Sequence, residues 1–359
     1  MLGGVDIDEE WAEKIKEIHK LLGSEKTYKE AITKLIAFRG KMFKQISQIV
    51  NSYPNDAFYQ MPFMNVKGYH SKTLSYSIWH IFRIEDIVSH ELIAKDDQIL
   101  FRDDFQRRIG APILTTGNEL EGEDIADFSR LLNVKELLSY SRAVMEATNE
   151  ILNNLEYKDF KIKFTSEDEQ RLKKTECVSD DENSAWLILY WCSKDVRGLI
   201  KMPFSRHWVM HIEAMRRIKN KLCKDARKGV DPVAYCGFSC NHCFLSAWCG
   251  SCRTEYNVCS FATCSQDGVC PNVACCKRKG YDGCYECADL ENCEIGFYIS
   301  TNDGANAAKA QAMYIRKHGK KALLKVQERL HEKYEFSKTQ EILGQDIYKG
   351  LKILEDNKN

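Results

Sequence analysis

The stretch FSRHWVMHIEAMRRIKNKL, residues 204–222, sets His207 and His211 four residues apart, which is about one turn of helix. The same line along the helix continues through Ala214, Met215, Ile218 and Leu222. That line is an apolar stripe, so both imidazoles are expected to face inward. An inward pair at this spacing can hold one divalent ion through two nitrogens. Two packed histidines with hydrogen-bond partners would give the same pattern, since a buried polar group left unpaired costs about 1–3 kcal/mol. The pair alone does not choose between these readings.

A third histidine weighs on the choice. SYSIWHIFRIED, residues 75–86, puts His80 in line with Ile84 and Ile87 on the border of another apolar stripe. If the two helices are neighbours, His80 meets His207 and His211 at one point. Three neutral imidazoles leave coordination positions for water or substrate, which suits catalysis better than structure. Glu85 and Asp86 are candidate acceptors for ring N–H groups. His90 reads as a surface residue. Tyr76 and Tyr140 read as core tyrosines with hydroxyls in reach of a substrate. Arg206, Arg216 and Arg217 read as a solvated face that could meet carboxylates.

Apolar residues recur at three- and four-residue steps in four long segments: about 27–50, 71–93, from Asn133 onward, and from Ser205 to about Lys224. Asn133 with Glu136 has the shape of a capping box, and Ser205 after Pro203 that of an N-cap. AWLILYWCSKDVRGLI (185–200) predicts a further helix, another is expected at about 8–22, and a short one at about 123–131. Residues 94–132 otherwise form a long crossover. Four amphipathic helices with one long crossover predict a mainly α, four-helix-bundle fold.

At 359 residues the chain exceeds what one compact core usually holds. KGVDPVA (228–234) reads as a junction, because Gly229 and Pro232 break helix and the composition then changes. The expected divisions are an N-terminal helical extension (1–26), a metal-binding bundle (27–227), a cysteine-rich metal-binding domain (228–303) and C-terminal helices (304–359). Charge balances at 52 basic against 52 acidic residues, so no global field recruits nucleic acid or anionic lipid. No apolar run is long enough to span a membrane, and the acidic start MLGGVDIDEEWAEK lacks a secretion-signal layout. A cytoplasmic protein is expected, and the sequence leaves an oligomer open.

There are 16 cysteines, and all but Cys177, Cys192 and Cys223 lie between Cys236 and Cys293. In a reducing compartment such density reads as metal ligation, whereas in a secreted protein it would read as disulfides. The candidate ligands are Cys236, Cys240, Cys243, Cys249, Cys252, Cys270, Cys275, Cys284, Cys287 and Cys293, with Cys259, Cys264 and Cys276 beside them. Three C-x-x-C units form a strong metal signal, because two intervening residues let both sulfurs reach one ion. Zinc is the first expectation at these cysteines, and an iron–sulfur cluster uses the same ligands. Their pairing cannot be read from spacing.

Two resemblances follow from these motifs. TLSYSIWHIFRIEDIV (73–88) and FSRHWVMHIEAMRRIKNKL resemble the DinB-like four-helix-bundle superfamily over about 27–225. That family carries one metal-binding histidine on its second helix and an H-x-x-x-H pair on its fourth, which fall on His80, His207 and His211. The resemblance implies a divalent metal, zinc or nickel, and a thiol-transferase-like activity joining a low-molecular-weight thiol to a small electrophile. It implies no DNA binding. YCGFSCNHC, CGSCR, CPNVAC, KRKG and CYEC resemble a cysteine-rich domain-of-unknown-function family over about 234–320. Asn292 in ENC replaces that family's usual proline before the last cysteine. A non-catalytic metal- or redox-sensing protein is the alternative to an enzyme, and an electron-transfer protein another. The lone Arg253 and the basic helix over 313–333 argue poorly for nucleic acid.

Overall fold

The structure is a computed structural model that describes residues 7–64, 66, 70–247, 249–257, 269–299 and 303–358. The chain is mainly helical, and among the described residues extended pairing is confined to isolated bridges, Lys163 with Asp195 and Val233 with Ser239. It divides into two compact units. One comprises residues 1–51 and 55–219, the other residues 52–54 and 220–359. No described helix is long and apolar enough to cross a membrane.

In chain order the helices up to residue 226 are α1 (Ile7–Leu21), α2 (Tyr28–Ser52), α3 (Leu74–Ile87), α4 (Phe105–Ile109), α5 (Glu123–Leu131), α6 (Val134–Asn154), α7 (Ser166–Lys174), α8 (Glu182–Cys192), α9 (Val196–Lys201) and α10 (His207–Ala226). Asn133 caps α6 by accepting from the N–H groups of Lys135 and Glu136. Ser205 does not cap α10. A π-helical turn, Met202–Arg206, runs straight into that helix, and the Ser205 hydroxyl donates back to the carbonyls of Ile200 and Lys201 at 3.0 and 2.9 Å. The apolar piece at 185–200 breaks into α8 and α9, because Asp195 caps a new helix through the N–H of Gly198.

Helix α3 is the centre of the first unit. Every one of its residues is buried, including Ser75, Ser77, His80, Arg83, Glu85 and Asp86. A helix buried all round needs a partner for each polar side chain, and those partners are the neighbouring helices. Glu85 accepts two hydrogen bonds from Arg39 of α2 and one from Trp208 of α10. Asp86 accepts from Tyr140 of α6 and from the backbone N–H groups of Ile99 and Leu100. Apolar rings close the same seams. Phe82 meets Phe43 of α2 at 5.9 Å and Trp208 at 4.7 Å, edge to face.

The second unit carries α11 (Pro271–Lys279), α12 (Asp303–His318), α13 (Lys320–Lys333), α14 (Phe336–Gly344) and α15 (Ile347–Asp356). Helix α12 is rich in buried alanine, with Ala305, Ala307, Ala308, Ala310 and Ala312 all below 2% exposure. Such small side chains let neighbouring backbone come close. Leu323, Val326, Leu330, Leu343, Leu351 and Leu354 from the following helices complete this core, joined by Cys276 of α11 and by Cys284 and Tyr298. The basic helix expected over 313–333 is parts of two helices, separated at Gly319.

Candidate metal centre

The site begins with the way α3 is held. Thr73 caps it through the N–H of Tyr76 at 3.0 Å. From there, four side chains at helical spacing donate to four successive carbonyls. Arg83 Nε reaches Leu114 O at 2.7 Å, Trp79 Nε1 reaches Thr115 O at 3.0 Å, His80 Nδ1 reaches Thr116 O at 2.9 Å, and Tyr76 Oη reaches Gly117 O at 2.9 Å. The crossover is thereby strapped along α3. Gly117 permits it, with φ at +81° and only 3.0 Å between the place of a Cβ and the Tyr76 ring.

A carbonyl oxygen only accepts, so His80 carries its proton on Nδ1 and leaves the Nε2 lone pair for another partner. The His80 ring lies 5.1 Å from that of His207 and 4.7 Å from that of His211, and the latter two are 4.5 Å apart. Each imidazole offers one nitrogen to a group in which all three lie within 4.8 Å of one another. All three rings are buried, at 6–7% exposure. Burial pushes the His80 pKa down to about 4, with the Thr116 hydrogen bond opposing and the Lys72 charge adding. Burial likewise holds His207 and His211 well below the usual histidine range, and the neighbouring imidazoles push the same way. All three are therefore neutral at pH 7, the form that ligates a metal.

A divalent ion fits this donor set. The Nδ1 atoms of both His207 and His211 are buried without a hydrogen-bond partner. Ordinary packed histidines require such partners, and only His80 has one. Three neutral imidazole nitrogens converging on a point are a ligand set that suits zinc and nickel, as it does copper and iron.

Several expectations need correction. Glu85 and Asp86 do not accept from these rings: Glu85 is taken by Arg39 and Trp208, Asp86 by Arg83, Tyr140 and two backbone N–H groups. The carbonyl of Thr116 has that place beside His80. His90 is not on the surface but 1% exposed, hydrogen-bonded through Nδ1 to Asp96 at 2.5 Å. Tyr76 stacks on His80 at 5.6 Å, and the hydroxyls of Tyr76 and Tyr140 are spent on Gly117 O and Asp86. Arg206 and Arg217 are exposed. Sequence reasoning missed Lys72, whose charge acts on both His80 and His211 and whose Nζ lies 4.7 Å over the Tyr76 ring. Its signal was its place two residues before the start of α3, about two turns ahead of His80.

In the second unit the described cysteines gather in two places. Cys236, Cys240, Cys243, Cys249, Cys252 and Cys270 line one cavity of about 90 Å³. Cys275, Cys276, Cys284, Cys287 and Cys293 line another of about 20 Å³. Cys276, outside the expected ligand set, is thus among the second group, where its Sγ lies 3.6 Å from that of Cys284. Cys259 and Cys264 lie outside the described residues. Arg253 is committed within this unit, donating to Val233 O at 2.7 Å and to Asp282 at 2.8 Å.

Comparison with protein-family models, with curated proteins and with solved structures gave no match to this chain.

Proposed function

We propose that the protein is a metal-dependent enzyme of the thiol-transferase type, with one divalent ion, zinc or nickel, held by His80, His207 and His211. One observation carries the reading. Three buried, neutral imidazoles converge with one nitrogen each inside a 4.8 Å group, and two of them have an Nδ1 without any hydrogen-bond partner. In this reading α2, α3, α6 and α10 are the four helices of a DinB-like bundle, and the cysteine-rich segment is an attached metal-binding domain. The bonds from Arg39 and Trp208 to Glu85, and from Tyr140 to Asp86, support that grouping.

A divalent ion with three neutral protein ligands keeps a position open and lowers the pKa of a thiol or water bound there. The chain's own residues set the stage for this. Thr116 fixes the His80 tautomer, which leaves Nε2 as the ligating atom. Trp208, tied to Glu85, holds the first turn of α10 against α3 and so fixes His207 in relation to His80. Lys72 supplies positive charge beside the trio, which suits a thiol that carries a carboxylate. The second substrate is a small electrophile.

The test uses the full chain, a panel of low-molecular-weight thiols and soft electrophiles, and the His207→Ala variant. The proposal expects thiol consumption with zinc or nickel present and its loss, together with one metal equivalent, in the variant. Metal lost without any change in turnover would refute a catalytic role. Metal binding with no turnover on any pair would favour a sensing protein.

A further inference from the structure

We infer that the larger cysteine cavity holds a polynuclear iron–sulfur cluster and not a single zinc ion. The first reason is size. The six thiols of Cys236, Cys240, Cys243, Cys249, Cys252 and Cys270 come from three separate chain segments onto about 90 Å³, in a measure where one water needs about 10–15 Å³. The second cysteine cavity, at about 20 Å³, has room for little more than one such sphere.

The second reason is spacing. With zinc–sulfur bonds of about 2.3 Å, the four sulfurs of a tetrahedral site stand about 3.8 Å from one another. Among the described residues, the only group of three or more metal-ligating side chains within 4.8 Å is the histidine trio. No three of the described thiols form such a group. A cluster takes its thiolates on different irons around an inorganic core, so its ligands stand farther apart.

The third reason is the polar surroundings of the sulfurs. The backbone N–H of Tyr235 donates to Cys252 Sγ at 3.5 Å, and the Ser251 hydroxyl lies 3.6 Å from Cys240 Sγ. Cys270 stands at the N-cap of α11. Donors of this kind support anionic sulfur and tune a cluster's potential. The loop that carries Cys236 and Cys240 is held close. Its Gly237 has φ +92°, and a Cβ there would lie 2.9 Å from the backbone nitrogen of Ala312 on α12. Tyr235, Phe238 and Val273 give the cavity an apolar wall.

This inference does not depend on the histidine reading. The full chain is purified without oxygen, reconstituted with ferrous iron and sulfide, and assayed for iron, acid-labile sulfide and visible charge-transfer absorption. More than one iron with equal sulfide per chain is expected. The triple variant Cys236→Ser, Cys240→Ser, Cys243→Ser removes half of the six described thiols and should lose the absorption at least tenfold. Cys287→Ser and His207→Ala should keep it. A colourless protein holding zinc or sulfide-free iron after reconstitution overturns the inference. So does a cluster that survives the triple substitution, or one lost through Cys287→Ser with the triple variant intact. The sulfide content of the unmodified chain decides even if the triple variant does not fold.

Discussion

Removing the Glu85 carboxylate probes how the histidine-bearing unit is held together. Glu85 and Arg39 are both fully buried, joined by hydrogen bonds of 2.9 and 2.5 Å, and Glu85 also accepts from Trp208 Nε1 at 2.8 Å. Glu85→Ala leaves a buried guanidinium without its counter-ion, which costs about 3–5 kcal/mol. Arg39 keeps Phe204 O at 3.0 Å and Asn149 Oδ1 at 2.9 Å, which argues for the lower end of that range. The orphaned indole N–H adds about 1 kcal/mol. The expected loss is therefore about 4 kcal/mol, a large share of the stability of an ordinary domain. Urea unfolding of metal-free protein measures it without metal linkage. The double variant Arg39→Met, Glu85→Leu removes both charges and should lose less than Glu85→Ala alone, because no unpaired ion is left behind. A Glu85→Ala cost below about 1 kcal/mol, or a double variant whose cost is the sum of its singles, would refute this account of the buried pair.

Gly117→Ala should lower stability by about 1–3 kcal/mol and weaken metal binding, since an L side chain is strained at φ +81° and presses on Tyr76 beside His80; unfolding and metal titration on one sample check both effects. His19 gives a pH signature. Burial, helped by Lys201 and Arg206, lowers its pKa to about 4. Between its unfolded value near 6.5 and pH 4 the unfolded chain binds more protons, so stability falls as pH drops through that window and then levels off. His19→Gln should flatten this part of the profile, measured as urea midpoints at pH 7 and 5, and an unchanged slope would count against the shift. Lys72→Met removes a cation near the trio, so divalent-metal affinity should rise several-fold in calorimetry while the apparent affinity for a carboxylated thiol falls. Unchanged metal affinity would place Lys72 outside the site's field.

Much of the helical layout was legible because apolar spacing is a local property. The Asn133 cap and the short helix near 123–131 came from such signals. The inward direction of His207 and His211 was legible from Ile218 and Leu222, which share their face and are buried with them. What α3 does with its polar residues was not. Glu85 and Asp86 sit beside a histidine in sequence, yet their partners Arg39 and Tyr140 lie 46 and 54 residues away, a distance that periodicity does not report. His90 looked exposed because its burial depends on Asp96 folding back across a left-handed Lys95. The strap at 114–117 was hidden because its backbone is paired by side chains, which leaves no repeating pattern in its own residues. Cysteine spacing predicts metal ligation, while the division of the described cysteines between two cavities required the chain path that brings Cys270 to Cys236.

The central claim is one divalent ion bound by His80, His207 and His211, and anomalous X-ray scattering at the metal edge tests it most directly. The account predicts a peak about 2.0–2.1 Å from one nitrogen of each of the three imidazoles, with Nε2 as the ligating atom of His80. Anomalous signal confined to the cysteine-rich unit, in crystals grown with zinc or nickel in excess, would contradict it.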